Sequence, residues 1–296
     1  MRPASVLENY PIVMTSGLVL GLILGGFPVL TKEISMAALA VAMTLSLTSV
    51  TLAQTRGRDH IRHAILALIV NYGALTALIL VIALFSDEDI KNGWVLMAAA
   101  PSAISVVPFT TILGGRTSKA LFSTAVNYAV ALALMPALTL ALMGSSVDVS
   151  SLIVYVLLLI VLPMVLSRAV MRIRISKPLN TSMLNISMAV LIFAVAGANR
   201  EAFQGELVVI AAIALGSIIR TFGSGLITEL VLRRAKVPKP ERVSYVLFAS
   251  YKNLGLTATL AIALFEPIVA VPATICIVFE VVWVIFLIRF YPRFPG

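Results

Sequence analysis

The sequence predicts an all-α integral membrane protein with ten transmembrane helices. Of its 296 residues, 60% are hydrophobic and 12% are charged, and the mean hydropathy is +1.05. A water-soluble domain of this length does not carry such a composition. A helix needs about 20 apolar residues to cross the hydrocarbon core, whereas barrel strands are shorter and alternate in polarity. The apolar stretches cover residues 11–30, 34–53, 61–85, 93–114, 119–143, 150–168, 179–198, 207–231, 242–265 and 268–289.

The first stretch predicts a retained helix, because it is longer than a signal-peptide core and no small-residue cleavage site follows it. The single cysteine, Cys276, excludes a disulfide framework and a thiolate metal cluster, and it predicts a small packing residue. His60 and His63 fall in an arginine-rich loop, where we expect solvated side chains. The sequence predicts no metal site and no cofactor.

The net charge of +9 follows the predicted topology. When alternate loops are assigned to two sides, 17 of the 22 basic residues fall on one side. Cytoplasmic loops are enriched in lysine and arginine, so both termini are predicted to be cytoplasmic, in a plasma or inner membrane. The basic excess therefore indicates topology and contact with the lipid bilayer, and no nucleic-acid partner is expected. The 17 residues are Arg2, Arg56, Arg58, Arg62, Arg116, Lys119, Arg168, Arg172, Arg174, Lys177, Arg233, Arg234, Lys236, Lys239, Arg242, Arg289 and Arg293.

Ten helices with both termini on one side divide into two groups of five. Because five is odd, the second group enters the membrane inverted relative to the first, as in transporters built from inverted repeats. The division falls at the polar loop MGSSVDVSS, residues 143–151. The predicted repeats are residues 1–144 and residues 145–296.

The fourth span of each repeat contains features that break helices. In the segment AAAPSAISVVPFTTILGG, Pro101 and Pro108 each lack a backbone N–H, so helical hydrogen bonds are lost near mid-membrane. The segment SYKNLGLTA brings Lys252, Asn253 and Gly255 to the corresponding place in the ninth span. Broken helices at matching positions indicate a transporter's binding site, because the freed backbone groups need partners. Kinking for packing is the alternative.

Three ionisable residues lie near the centres of apolar spans: Arg220 in the eighth, Lys252 in the ninth and Glu280 in the tenth. Each costs about 2.5 to 3.5 kcal/mol at the centre of a bilayer, so such residues face the bundle interior and meet partners there. Two cations against one acid leave a positive charge that suits an anionic substrate. In the structural alternative, Glu280 neutralises one cation and the other reaches a carbonyl or a water-filled crevice.

The predicted site combines these charges with neighbouring polar groups. Lys252 and Glu280 are the predicted coupling residues, and Pro101, Pro108 and Gly255 are the predicted helix breakers. The predicted substrate-binding residues are Lys252, Asn253, Ser102, Ser105, Arg220 and Asn71, with Asn127, Ser123 and Thr124 as lesser candidates.

Two segments resemble the bile acid:sodium symporter family and its wider superfamily, which also includes auxin efflux carriers and arsenite efflux permeases. They are APSAISVVPFTTILGGRTSKALFSTAVNY, residues 100–128, and FASYKNLGLTATLAIALF, residues 248–265. The resemblance extends over nearly the whole chain. It implies that broken helices four and nine cross in a core domain of helices 3–5 and 8–10. A panel domain of helices 1, 2, 6 and 7 is then expected to move against this core.

The chain departs from this family at the implied sodium ligands. A glutamate and a glutamine that precede the family's Asn-x-Gly are similar in position to Phe248 and Lys252 here. A Ser-Asn pair in helix four is matched by Val106 and Val107. Sodium needs several oxygen ligands, which these apolar side chains do not offer. The resemblance therefore implies a divergent member in which the Lys252 ammonium takes the place of sodium, either permanently or by gaining and losing a proton.

The predicted function is secondary transport of a small organic anion by alternating access, without sodium. A sodium-coupled symporter of bile-acid-like anions with other ligands is one alternative, and a non-translocating membrane sensor of the same fold is another. Proton coupling and auxin-carrier-like transport stay open, while arsenite transport is less favoured because Ser102 stands near the expected thiol position. No ATP-binding loop or acyl-transfer motif is visible, so the chain is not predicted to be an enzyme.

Overall fold

The computed structural model describes residues 6–48, 57–144, 147–173, 175–204 and 207–291. Within these ranges the chain forms twelve helices of seven or more residues, two short 3₁₀ helices (Val6–Glu8 and Ala202–Gln204) and no β-strand. The helices are α1 (Tyr10–Leu24), α2 (Thr31–Leu47), α3 (Arg58–Ala83), α4 (Glu88–Ala99), α5 (Val106–Ile112), α6 (Thr117–Met143), α7 (Val149–Val170), α8 (Lys177–Ala198), α9 (Leu207–Arg234), α10 (Lys239–Ser250), α11 (Leu254–Leu264) and α12 (Pro267–Phe290).

Six of these helices in the described part of the chain are long and apolar enough to cross a bilayer: α3, α6, α7, α8, α9 and α12. Large apolar side chains stand exposed on their surfaces, among them Val165 and Ile227. Such a surface is unfavourable in water and favourable against lipid tails. The chain is therefore an all-helical, multi-pass integral membrane protein.

The other predicted spans form shorter helices. The first was predicted to reach residue 30, which is wrong: α1 ends at Leu24, because Gly25 and Gly26 adopt left-handed backbone angles with φ of +83° and +69°. The second begins at Thr31, and the rest of its predicted range beyond residue 48 lies outside the described residues. So do residues 145 and 146 of the predicted repeat boundary, and four of the basic residues used for the topology, namely Arg2, Arg56, Arg174 and Arg293.

The fourth predicted span is split into α4 and α5. Ala100 follows α4 with extended backbone angles, φ −65° and ψ 150°. A residue that precedes proline is sterically disfavoured in the helical conformation, so Pro101 ends α4. The next helix starts at Val106.

The ninth predicted span is split into α10 and α11. Tyr251 is extended, with φ −117° and ψ 122°, and ends α10. Asn253 starts α11, because its Oδ1 accepts a hydrogen bond from the N–H of Leu256 at 3.0 Å. Such an N-cap supplies an acceptor for one of the N–H groups that the first helical turn leaves unpaired.

Four helices, α1, α2, α7 and α8, pack side by side, and we call them the four-helix layer. Glycines bring α1 and α8 into close contact: a Cβ at Gly17 would lie 2.7 Å from the carbonyl oxygen of Ala189, and one at Gly21 would lie 2.7 Å from that of Phe193. Small residues at such spacing let helix backbones approach closely in membranes.

The remaining helices, α3 to α6 and α9 to α12, form the main body. Within it α5 packs on α10, and α4 packs on α11. The second half of the ninth span, α11, also packs against α2, α7 and α8 of the four-helix layer. Across this contact Lys32 on α2 donates a hydrogen bond to the carbonyl of Ala263 at 3.0 Å.

Candidate functional site

The two helix breaks meet in the middle of the main body. Ser102 and Lys252 form an isolated antiparallel backbone bridge. Beside it, the N–H of Asn253 donates to the carbonyl oxygen of Pro101 at 2.8 Å. The breaks thus satisfy part of each other's freed backbone, as a bilayer requires of any non-helical segment.

The side chain of Lys252 is completely buried beside this junction. Its Nζ donates to four oxygens at 2.9 to 3.2 Å. Two of the acceptors are side-chain atoms of α3, and two are carbonyls at the end of α4; they are Asn71 Oδ1, Thr76 Oγ1, Ala98 O and Ala100 O. We call this set the ammonium cage.

The contacts in the ammonium cage stabilise both the buried cation and the unpaired carbonyls at the end of α4. The last carbonyls of a helix lack intrahelical partners and carry the negative end of the helix dipole, so a cation at Ala98 and Ala100 is favourable. The face of the Tyr72 ring adds a cation–π contact, with Nζ 4.5 Å from the ring centroid. An ammonium has three N–H donors. With four acceptors around it, the Lys252 ammonium has no donor left for a substrate in this conformation.

Asn71 aligns the cage with the ninth-span break. It lies in a π-helical stretch of α3, Ile69–Leu75. Its Nδ2 donates to the carbonyls of Phe248 at 2.8 Å and Tyr251 at 3.3 Å, while its Oδ1 faces Lys252. Single π turns are rare and occur often at functional sites. All polar atoms of Asn71 are therefore engaged within the protein, on the break.

The other polar residues predicted at the breaks have different contacts from those of Asn71. Asn253 caps α11 and donates from Nδ2 to the hydroxyl of Tyr128 on α6 at 2.7 Å. Ser102 is fully buried, and its hydroxyl has no hydrogen-bond partner among the described residues. Ser105 is partly exposed just before α5.

Arg220 and Glu280 form a second charged group in the main body. Arg220 lies in a π-helical stretch of α9, Ile219–Gly223, and is fully buried. Its Nη2 donates to Glu280 Oε1 on α12. The same carboxylate oxygen lies 3.4 Å from the backbone nitrogen of Lys252, which ties this pair to the ninth-span break.

The pairing of the three charged residues agrees with the structural alternative from the sequence analysis. Glu280 neutralises Arg220, and the other cation, Lys252, reaches carbonyls. A surface cavity of about 550 Å³ lies elsewhere, at the start of α4 and the end of α11, with Glu88, Asp89 and Glu266 among its lining residues. The Lys252 side chain is fully buried, so its ammonium reaches carbonyls and not a water-filled crevice in this conformation.

Two of the predicted helix breakers need correction. Pro108 is the third residue of α5, where its missing N–H leaves no bond unmade, because the first N–H groups of a helix have no intrahelical acceptor. Gly255 is the second residue of α11. A Cβ there would lie 3.0 Å from Leu191 and 3.3 Å from Leu39, so this glycine serves the contact with the four-helix layer.

His63 is not a solvated loop residue. It lies in the second turn of α3 and is 2% exposed, with Nδ1 2.8 Å from Ser123 Oγ and Nε2 2.8 Å from Ser244 Oγ. Its ring stacks on Tyr245 with 4.4 Å between the centroids. His63 therefore joins α3, α6 and α10. His60 is partly buried and packs edge-on against Phe122.

Sequence reasoning missed three of the four acceptors of the ammonium cage, namely Thr76, Ala98 and Ala100. Thr76 follows Asn71 by five residues, a spacing that a π turn brings onto one face but an ordinary helix does not. The carbonyls of Ala98 and Ala100 carry no side-chain signal. Of the lesser candidates, Ser123 binds His63, Asn127 donates to the carbonyl of its own helix one turn before, and Thr124 has no partner among the described residues.

One comparison with known proteins identifies a family for this chain. Residues 13–291 match the profile of the SBF-like CPA transporter family. No curated protein matches the chain. The match covers most of the chain, including both helix breaks, the ammonium cage and the Arg220–Glu280 pair. The chain belongs to the SBF-like CPA transporter family.

Proposed function

We propose that this protein is a sodium-independent secondary transporter of small organic anions, in which the Lys252 ammonium permanently replaces a bound sodium ion. The observation that carries the proposal is the ammonium cage. Four oxygens from α3 and α4 surround one positive charge at the place where two broken helices meet. A monovalent metal ion would use the same kind of ligands.

The ammonium cage supports a permanent cation and not a titrating one. All four contacts are within hydrogen-bonding distance, and each acceptor is a neutral oxygen that needs a donor in a buried site. Loss of the proton would remove the charge that the C-terminal end of α4 and the Tyr72 ring stabilise. In this proposal Lys252 positions the broken helices, and it does not touch the substrate.

The proposal includes the ten-span architecture of two inverted repeats, residues 1–144 and 145–296. The π-helical stretches support it, because Asn71 lies 13 residues after Arg58, the start of α3, and Arg220 lies 13 residues after Leu207, the start of α9. The fourth predicted span of each half is broken, and the two breaks pair with each other.

In the proposed cycle the four-helix layer is the panel and the main body is the core, and one moves against the other. The close packing of α1 on α8 supports a rigid panel. Lys32 and α11 make a contact that has to separate when the side of the membrane on which it lies opens to water. With the termini in the cytoplasm, this contact lies on the outer side.

The charge balance at mid-depth supports an anionic substrate. The apolar spans carry Arg220 and Lys252 against Glu280, which leaves one positive charge in excess. Half-helices that begin at the breaks add the positive ends of their dipoles. Together these fields lower the cost of bringing a negative group to the centre of the bilayer.

Counterflow in proteoliposomes tests the proposal. Purified protein should exchange a labelled small carboxylate, from a screen of keto acids and bile acids, at equal rates in sodium and in choline buffer. Lys252→Met should abolish exchange, while Lys177→Met, at the exposed start of α8, should keep it. Exchange that requires sodium would favour the symporter alternative. Binding without exchange would favour the sensor. Unchanged exchange by Lys252→Met would overturn the role of the ammonium.

A further inference from the structure

The guanidinium of Arg220 has N–H donors that its ion pair with Glu280 does not use, and this indicates a ligand site. Arg220 presents five N–H donors in a planar fork. One nitrogen, Nη2, binds Glu280, whereas Nε and Nη1 have no nitrogen or oxygen acceptor among the described residues although the side chain is fully buried. The thiol of Cys276, a weak acceptor, is another polar group beside the guanidinium. Buried donors without acceptors are unfavourable, and a carboxylate matches the guanidinium fork.

The two members of the pair differ in access. The side chain of Arg220 is 0% exposed and that of Glu280 is 8% exposed. Glu280 lies on α12, which packs against α1 of the four-helix layer. Glu280 is therefore the member of the pair that is partly accessible, and its helix borders the four-helix layer.

The groups that face Glu280 come from four elements. Arg220 on α9 binds its carboxylate, and Tyr251 at the ninth-span break donates its hydroxyl to the Glu280 backbone carbonyl at 2.8 Å. Lys252 contributes its backbone N–H, while its ammonium is held by the cage. Tyr10 on α1 and Cys276 on α12 itself lie within electrostatic range. None of these five groups is a carboxylate, so Glu280 is the one carboxylate among them.

An incoming anion and the Glu280 carboxylate compete for the same guanidinium. While Glu280 is ionised, Arg220 is already neutralised and the carboxylate repels an approaching anion. Protonation of Glu280 removes that charge and leaves Arg220 as an unpaired cation in an apolar interior, a state that an anion stabilises strongly.

We propose that Arg220 is the binding group for one substrate carboxylate and that Glu280 takes up one proton for each carboxylate bound, so that proton and anion cross together. The inference rests on the proposed anion transport and names its head-group site and coupling ion. On binding, a proton passes from water to Glu280, and its ion pair with Arg220 is exchanged for that of the substrate. On release, the proton leaves to water on the other side and Glu280 pairs with Arg220 again.

Transport of a monocarboxylate is then electroneutral. Pyruvate serves as the probe, in proteoliposomes that contain a trapped pH dye, with protein-free vesicles as the background. A pyruvate gradient should acidify the lumen together with uptake of the label, and an imposed membrane potential should leave the rate unchanged. In the pH range where Glu280 is ionised in the free protein, the apparent affinity should fall about tenfold per unit rise in pH, as linkage to one proton requires.

Three variants separate the roles. Glu280→Gln should bind pyruvate with an affinity that no longer depends on pH, and Arg220→Gln should lose binding. Glu88→Gln, at the exposed start of α4, should keep the wild-type pH profile. If pyruvate and the other carboxylates are exchanged without proton movement, or if Glu280→Gln keeps the wild-type pH dependence, this inference is wrong and anion transport stands. If no carboxylate is exchanged at any pH, the proposed function fails with it.

Discussion

The backbones of Ser102 and Lys252 pair in one antiparallel bridge, so the interruption of each broken helix is closed by the other. Neither segment is stable in a bilayer without its partner, because unpaired backbone groups there are costly. The side chain of Lys252 then extends from the bridge to the end of α4 and to α3. The four predictions that follow test contacts at this junction and in the helices around it.

Removal of the Asn253 side chain should loosen the start of α11. Asn253→Ala deletes an N-cap and a buried hydrogen bond to Tyr128, so the expected loss of unfolding free energy is about 2 kcal/mol. Tyr128→Phe removes the second bond alone and should cost about 1 kcal/mol. Thermal unfolding in detergent measures both, and Cys276, buried and the single cysteine, can report unfolding through a thiol-reactive dye. Equal stability of Asn253→Ala and Tyr128→Phe would contradict the capping role.

Separation of the Arg220–Glu280 pair should be more destabilising than its replacement as a whole. Arg220→Met leaves a buried carboxylate without its cation and should cost about 3 to 5 kcal/mol. The double variant Arg220→Met, Glu280→Met should recover a large part of this loss, because no buried charge is left unpaired. A double-mutant cycle on thermal unfolding measures the coupling, and additive effects of the two substitutions would show that the residues act independently.

Close packing of the four-helix layer should make it intolerant of added volume at the contact of α1 with α8. Gly17→Ala places a Cβ 2.7 Å from a backbone oxygen that cannot turn aside, and we expect loss of folded protein on size-exclusion chromatography. Gly73→Ala is the control, since its nearest neighbour would be a side-chain carbon at 3.9 Å. Alanine is the better helix former by about 0.5 to 1 kcal/mol, so this control should be neutral or more stable. Equal behaviour of the two variants would contradict a tight layer.

The hydrogen bonds of His63 should connect the start of α3 to α6 and α10. His63→Phe keeps the ring stacked on Tyr245 but leaves the Ser123 hydroxyl without its partner, so we expect a loss of about 1 to 3 kcal/mol. The Ser244 hydroxyl loses its bond to the ring but still donates to the carbonyl of Glu241. His60→Phe, at a partly buried position, should change stability by less. If both substitutions are equally mild in thermal unfolding, the serine bonds contribute little.

The architecture could be predicted where local chemistry decides it. Pro101 ends α4 through a steric clash with its own neighbour, and the burial cost of Lys252 makes an enclosed ammonium expected from composition alone. The end of α1 was missed by a few residues, because hydropathy continues beyond Gly25 while the backbone does not.

The site could be predicted only in part, because its ligands come from distant parts of the chain. Lys252 was identified, but its carbonyl acceptors at Ala98 and Ala100 have no side-chain signature and lie about 150 residues away. His63 was misplaced for the same reason: the serines that accept and donate to its ring are on other helices. Pairing across a bundle follows from tertiary packing, which periodicity does not specify.

Thermal unfolding of wild-type protein and of Lys252→Ala, in sodium and in choline chloride, tests the central claim most directly. Without the lysine, Asn71, Thr76, Ala98 and Ala100 keep four oxygens around an empty space. Lys252→Ala should therefore be less stable than wild type and should regain about 2 to 3 kcal/mol at sodium concentrations near 100 times its dissociation constant, whereas wild type should not respond. Stabilisation of wild type by sodium, or a Lys252→Ala variant that no monovalent cation stabilises, would contradict the claim that this ammonium stands in the place of a bound ion.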